Sequence, residues 1–203
     1  MILFLFMSSF NLRKLLIFPI IVSLIIFSVI ISKSDKIKNR MINSTINQLG
    51  LSEKSERIVL FSKTYEGHYF IALNMFKEKP IFGHGPKMFR FYCSKEENFV
   101  ADNACTTHPH NFYAQLLAET GIIGFLFLLS ALAYVIYTAL RQFKSIILRQ
   151  KRPLTDYQVC LLAGILVTVW PLTTNGNFFN NWLMVIYSLP VGFYLQSFYG
   201  KNK

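Results

Sequence analysis

Cys105-Thr106-Thr107-His108-Pro109-His110-Asn111-Phe112-Tyr113-Ala114-Gln115-Leu116-Leu117-Ala118-Glu119-Thr120-Gly121-Ile122-Ile123-Gly124 passes from a polar segment with two imidazoles into a run that stays mostly apolar as far as Leu140. Asn111 stands where a helix cap is needed, since its side-chain oxygen can accept from the free N–H groups of the first turn. A helix of that length and apolarity spans a membrane, which puts His110 at the surface where the helix enters.

The rest of the composition agrees. The chain has 203 residues, of which 53% are hydrophobic and 16% aromatic, too apolar for an ordinary soluble domain. Its formal charge of +11 comes from 21 basic residues spread over loops and helix ends rather than gathered on one face. That distribution argues against nucleic acid and for anionic membrane lipids as partners. Met1 to Phe10 is apolar but lacks the basic start and small-residue cleavage site of a leader, and reads as the tail of a hydrophobic element.

Taken in order, Arg13 and Lys14 precede a first span, Leu15 to Ser32, with Pro19 near its start. Lys33 to His110 is a long loop holding all 4 histidines and two of the 3 cysteines. The second span follows Asn111 and gives way to Arg141, Lys144, Arg149, Lys151 and Arg152; short basic loops stay in the cytoplasm, so the histidine loop is outside. Tyr157 to Thr174 reads as a third span, Asn175 to Asn181 as a polar turn, and Trp182 to Tyr199 as a fourth. The expected fold is an all-α integral membrane protein with about four transmembrane helices by the length rule. Its domains are residues 1–32, a loop domain over 33–110, and three helices over 111–203. Within the loop, Tyr69, Ala72, Leu73 and Phe76 share one helical face, which predicts a short amphipathic helix on the membrane surface, ended by Pro80.

Cys93 and Cys105 lie 12 residues apart on the outward side; a bridge between them would restrict the segment leading to His108, and two free thiols are the alternative. His108 and His110 flank a proline, whose extended backbone turns both rings to one side. No CxxC or HxxxH spacing accompanies them, so no metal is expected. For His110 the residues leave two readings open, a general base and a ring that only hydrogen-bonds at the helix start. Asn111, Gln115 and Glu119 recur every fourth position as a polar stripe, with Ala114, Ala118 and Gly121 as a small-residue stripe beside it. A carboxylate inside a span must be paired or face water, so Glu119 marks the interior side, either for chemistry or to pair with a basic group. Arg57, Lys87, Arg90 and Lys95 are loop cations that either hold phosphate or are solvated. Asn175-Gly176-Asn177, with Asn180 and Asn181, reads as a plain turn or a sugar contact.

Pro80-Ile81-Phe82-Gly83-His84-Gly85-Pro86, then His108-Pro109-His110-Asn111-Phe112, then Leu117-Ala118-Glu119-Thr120-Gly121-Ile122-Ile123-Gly124 resemble the signature of the O-antigen ligase and polymerase family. His110-Asn111, 9 intervening residues and Gly121-Ile122-Ile123-Gly124 match its H-N-x9-G-x-x-G pattern, and the similarity runs from about Tyr65 to the end. The resemblance implies a cofactor-free glycosyltransferase of the bacterial inner membrane whose main loop is periplasmic. Its donor is a glycan on undecaprenyl diphosphate, and its acceptor is lipid A-core or another glycan. His110 matches the family's essential histidine; Arg90, Arg57, His108, His84 and His68 are the substrate-binding candidates. Asn111, Glu119, Gly121, Gly124, Cys93 and Cys105 are structural. The family's arginine before the amphipathic helix has no counterpart in Thr64 to Tyr69, where His68 stands. Members of the family have more spans than this chain shows, so it reads as a carboxy-terminal part partnered by a missing amino-terminal half. A polymerase, a protein O-glycan ligase and a non-catalytic membrane subunit or inactive fragment are the alternatives.

Overall fold

The computed structural model of the protein describes residues 7–48, 62–100 and 104–199; Arg57 lies outside them. Among the described residues every regular element is helical. Contacts divide the chain into two compact units, Phe10–Glu66 and Met1–Ser9 with Gly67–Lys203.

The first unit is dominated by helix α1, Phe10–Lys33. Its large apolar side chains are exposed, Leu15 at 71% and Phe18 at 74%, as expected of a helix solvated by lipid rather than packed in a core. The hydroxyls of Ser23 and Ser28 donate to carbonyls four residues back, at 2.7 and 2.8 Å, so the helix satisfies its own polar groups. Ser34 caps the next short turn by accepting from Ile37 N, and helical turns continue through Gln48.

Helix α2, Lys63–Glu78, enters the second unit at Gly67, and there α3 is Phe89–Tyr92, α4 is Phe112–Ile147, α5 is Asp156–Val169 and α6 is Asn181–Tyr199. Helix α2 is amphipathic, but its buried stripe is His68, Ile71, Ala72 and Met75, offset by one position from the stripe expected of Tyr69, Ala72, Leu73 and Phe76. The cause is Gly67, which lies so close to Ala104 that an added Cβ would stand 2.7 Å from the alanine Cβ. That approach turns the His68 side inward, where Ile71, Met75, Phe89, Cys93 and Ala118 form one core. Leu73 is 42% exposed.

Helices α4, α5 and α6 pack around Val135, Ala139, Leu162, Ile165 and Tyr194 at one end and around Phe112, Leu116, Leu128 and Leu132 at the other. Thr155 and Gln158 make a capping box at the start of α5. Two helical stretches, Asn11–Lys33 and Phe112–Ile147, are long and apolar enough to cross a membrane. At 14 residues, α5 is about 21 Å long, shorter than the hydrocarbon core. Arg141 and Lys144, expected in a loop, lie in the last turns of α4.

The expected second span is not a continuous helix. At Gly121 its backbone turns to φ 64°, ψ −158°, and the ladder breaks. The carbonyls of Ala118 and Glu119, which would otherwise bond to N–H groups four residues on, accept instead from His84 N at 3.1 Å and Gly85 N at 2.8 Å. Ile122 N turns to Pro80 O at 2.9 Å. The turn after α2 is thus inserted at the break and replaces the lost bonds, which is what permits irregular backbone at such a place. Both partners need glycine: a Cβ on Gly121 would strike the Ile81 carbonyl, and one on Gly83, whose φ is 66°, would strike the backbone of Glu119 and Thr120. Gly124 is required for a different reason, because a Cβ there would meet the Thr120 side chain, whose Cβ is 2.7 Å away.

Gly121→Ala is expected to destabilise the chain by at least the 1–2 kcal/mol that a left-handed backbone costs an L-residue. The carbonyl contact adds to this, and the loss is read as a lower unfolding midpoint in detergent. Gly192→Ala, in an exposed turn of α6 with nothing within 4 Å of the new methyl, is the control and is expected to hold or raise the midpoint.

Candidate active site

Because the Pro80–Gly85 turn is held at the break, the chain on either side of it is held as well. Glu119, fully buried, accepts from Lys87 N and Phe89 N at 2.9 Å each and from the Gln115 amide at 3.0 Å. Among the described residues it makes no salt bridge; its hydrogen-bond partners are backbone N–H groups and an amide, and the Arg90 guanidinium acts on it electrostatically. The carboxylate thereby fixes the entry to α3, on which Arg90 is exposed to solvent. Cys93, one residue past α3, is disulfide-bonded to Cys105, with Cα atoms 5.1 Å apart. The bridge brings the segment ahead of α4 back against α2 and α3.

Three histidines meet there. The His110 ring lies 4.2 Å from that of His108 and 5.5 Å from that of His68, centroid to centroid. His68 is buried, with Nδ1 donating to Ala104 O at 2.6 Å, next to the disulfide. His108 Nδ1 is paired with the Thr107 hydroxyl at 2.9 Å. His84 takes a different place: its ring packs on Tyr92 at 4.3 Å, and Nε2 donates to Met75 O at 2.9 Å with the Glu78 carboxylate 3.5 Å away. His84 therefore braces the turn through its ring, while its own backbone N–H serves the helix break.

His110 has a left-handed backbone, φ 56°, unusual for a residue with a Cβ. It is held by the contacts on either side. Its carbonyl accepts from Asn175 N at 2.9 Å, and Asn111 caps α4 by accepting from Tyr113 N and Ala114 N at 3.0 and 3.1 Å. Asn111 also donates to Pro171 O at 2.7 Å, and Gln115 donates to Asn177 and accepts from Phe178 N. The asparagine-rich turn is therefore fastened to the start of α4 beside His110. Asn175 has its side-chain nitrogen buried with no hydrogen-bond partner among the described residues. Sequence reading noticed this turn but not that it closes on His110; the four-residue spacing of Asn111 and Gln115 was the available signal.

The charge state of the cluster follows from its surroundings. Burial lowers the pKa of His108 from 6.5 to about 4, helped by His110, His68 and the Arg90 guanidinium and opposed by the Asn175 backbone. Burial and the neighbouring His68 also hold His110 below its ordinary value. Both shifts favour the neutral ring, the form that can accept a proton. Among the described residues no group of three or more His, Cys, Asp or Glu side chains is arranged to hold a metal ion.

Replacing Glu119 by alanine leaves buried donors without an acceptor, at roughly 1–3 kcal/mol for each unsatisfied group. Glu119→Ala is thus expected to lower the unfolding midpoint more than Gly121→Ala does. Glu119→Gln, which keeps one acceptor oxygen, is expected to fall between alanine and the wild-type chain.

A family model described as O-antigen ligase matches residues 1–129. The match includes α1, the three clustered histidines, Arg90 and both glycines of the break, and it ends within α4. It begins earlier than the similarity expected from Tyr65 onward and stops before α5 and α6. No curated protein and no solved structure matches the chain. With more than half of its residues matched by the family's model, and with two apolar helices of spanning length, the chain is a membrane protein and belongs to the O-antigen ligase family.

Proposed function

We propose that the protein is a membrane glycosyltransferase that moves a glycan from undecaprenyl diphosphate to an acceptor hydroxyl, with lipid A-core as the acceptor. The observation that carries this reading is the His110 ring, packed between His68 and His108 on a segment whose neighbour α3 presents Arg90.

In the reaction, the acceptor hydroxyl gives its proton to the His110 imidazole as its oxygen bonds to the anomeric carbon of the glycan. The bond from that carbon to the diphosphate oxygen breaks, and the electron pair leaves with the lipid diphosphate. Arg90 balances the charge that develops on the leaving group, so no metal is required. Its guanidinium acts on His108 electrostatically, which supports placing a diphosphate within reach of both. The unpartnered Asn175 amide beside His110 suits a sugar hydroxyl. Arg57 remains a second candidate for the diphosphate.

The reading also sets the topology. The histidine loop lies on the periplasmic side of the bacterial inner membrane, and the basic residues after α4 lie in the cytoplasm. Helices α5 and α6 complete four spans, the short α5 being accommodated by a locally thinned bilayer.

His110→Ala is expected to reduce glycan transfer from the lipid-linked donor by about 10²–10⁴-fold, the usual worth of a positioned general base. Wild-type turnover by the folded variant would remove His110 from the mechanism. The rate should fall on the acid side with an apparent pKa below 6.5, because the base works only when unprotonated and its pKa is lowered. His68→Gln removes a neighbour that holds the His110 pKa down, so it is expected to move that acid limb upward while transfer persists. Chelating divalent metals is expected to leave the rate unchanged.

A further inference from the structure

At the other end of α4, roughly 40 Å of helix from Asn111, a second feature is unrelated to the histidines. The chain between α4 and α5 closes a pocket of about 630 Å³ lined by Arg141, Lys151, Arg152, Pro153, Leu154 and Thr155. Its floor is built rather than incidental. Gln142, fully buried, accepts from Leu154 N at 3.0 Å and donates to Leu154 O at 3.3 Å and Met7 O at 3.1 Å.

The charges on its rim are unbalanced. Asp156 is the one acidic residue in the sequence after Glu119. It is already engaged, accepting from Arg152 at 2.7 Å and from Ser9 N at 2.8 Å. Arg141 and Lys151 have no carboxylate partner among the described residues. The pocket thus presents two uncompensated cations.

Its depth is marked by the side chains around it. Tyr134 and Tyr137, exposed at 53% and 63%, stand one to two turns before Arg141, and Tyr157, at 56%, opens α5. Exposed tyrosines in such a position mark the boundary between headgroups and hydrocarbon. Exposed Leu140 and Ile147 on the same helix supply an apolar flank beside the cations. We propose that this pocket binds the phosphate of an anionic phospholipid, with Arg141 and Lys151 on the headgroup and the acyl chains along α4. The inference rests on α4 being a membrane span and is independent of the catalytic reading.

The test is to extract the full chain from vesicles of equal phosphatidylglycerol and phosphatidylcholine and to identify the retained lipid by mass spectrometry. The wild-type chain is expected to retain phosphatidylglycerol in excess. Arg141→Gln and Lys151→Gln are each expected to lower that retention about fivefold, the usual effect of one interfacial cation. Lys144→Gln, in the same region but outside the pocket, is expected to leave it unchanged. Equal retention of the two lipids, or undiminished phosphatidylglycerol in both pocket variants, would overturn the assignment. Displacement by inorganic phosphate at low concentration would reassign the pocket to the free anion and overturn the lipid proposal. An independent arm uses the wild-type chain alone: high salt must release the excess phosphatidylglycerol, and salt-insensitive retention refutes a charge-held headgroup. Glycan transfer assayed in parallel separates this result from the catalytic reading, since His110→Ala is expected to retain the lipid normally.

Discussion

The exchange of backbone hydrogen bonds at Gly121 is the constraint from which the rest of the outer region follows. A helix that breaks inside an apolar environment exposes carbonyl and N–H groups that cannot turn to water, each at a cost of several kcal/mol. Here the Pro80–Gly85 turn supplies two donors and an acceptor at the break. The two elements are mutually dependent: without the turn the break would leave orphaned groups, and without the break the turn would have nothing to bond. Glycine at 83 and 121 is the steric condition for both, because each lies against the other's backbone with positive φ.

Once the turn is fixed, the histidine cluster needs few further restraints. The turn joins α2 to α3, so His68 and Arg90 are carried on arms anchored at the same point. Glu119, about two turns of α4 from the Asn111 cap, then sets the start of α3 through two backbone N–H groups. Its burial is tolerable because three donors surround it and the Arg90 guanidinium acts on it. The Cys93–Cys105 bridge ties the segment ahead of α4 to the end of α3, where His110 lies beside His68. Gln115 occupies the centre of this arrangement, touching Glu119 on one side and the Asn177–Phe178 turn on the other. A polar stripe on one face of α4 therefore ties together segments from both ends of the second unit.

How much of this could be read from the sequence depended on the range of the interactions. Helices α1, α4 and α6 were legible because apolarity sustained over a span is a local signal, and the short α2 because its apolar residues recur with helical period. The exact buried face of α2 was not legible. Ile71 and Met75 or Tyr69 and Phe76 could each supply a largely apolar stripe, and the close approach of Gly67 to Ala104, far away in sequence, goes with the first. The break in α4 was hidden for a related reason. Gly121 and Gly124 look like a helix-packing pair, and only the insertion of Pro80–Gly85 shows that one permits a left-handed turn and the other clears Thr120. The separate histidines could be named as candidates, but which of them meet could not. His84 was grouped with the others by residue type, and its Tyr92 and Met75 partners show it bracing the core instead.

The electrostatics of the outer region divides two roles that a lysine- or arginine-only site would confuse. Burial and neighbouring imidazoles both disfavour protonation of His108 and His110, which favours free lone pairs on these two rings. Arginine beside them behaves oppositely: its guanidinium stays charged under all such conditions, and bringing it nearer only reinforces the neutrality of His108. A permanent cation next to a neutral base is the combination required when a hydroxyl must lose a proton while a diphosphate gains negative charge. In the transfer proposed above, protonated bases would attract a diphosphate well but could not take up a proton, and without the cation the proposed leaving group would lack compensation. The helix break, by holding α3 and the segment ahead of α4 at one place, keeps these two kinds of group adjacent without letting either take over the other's work.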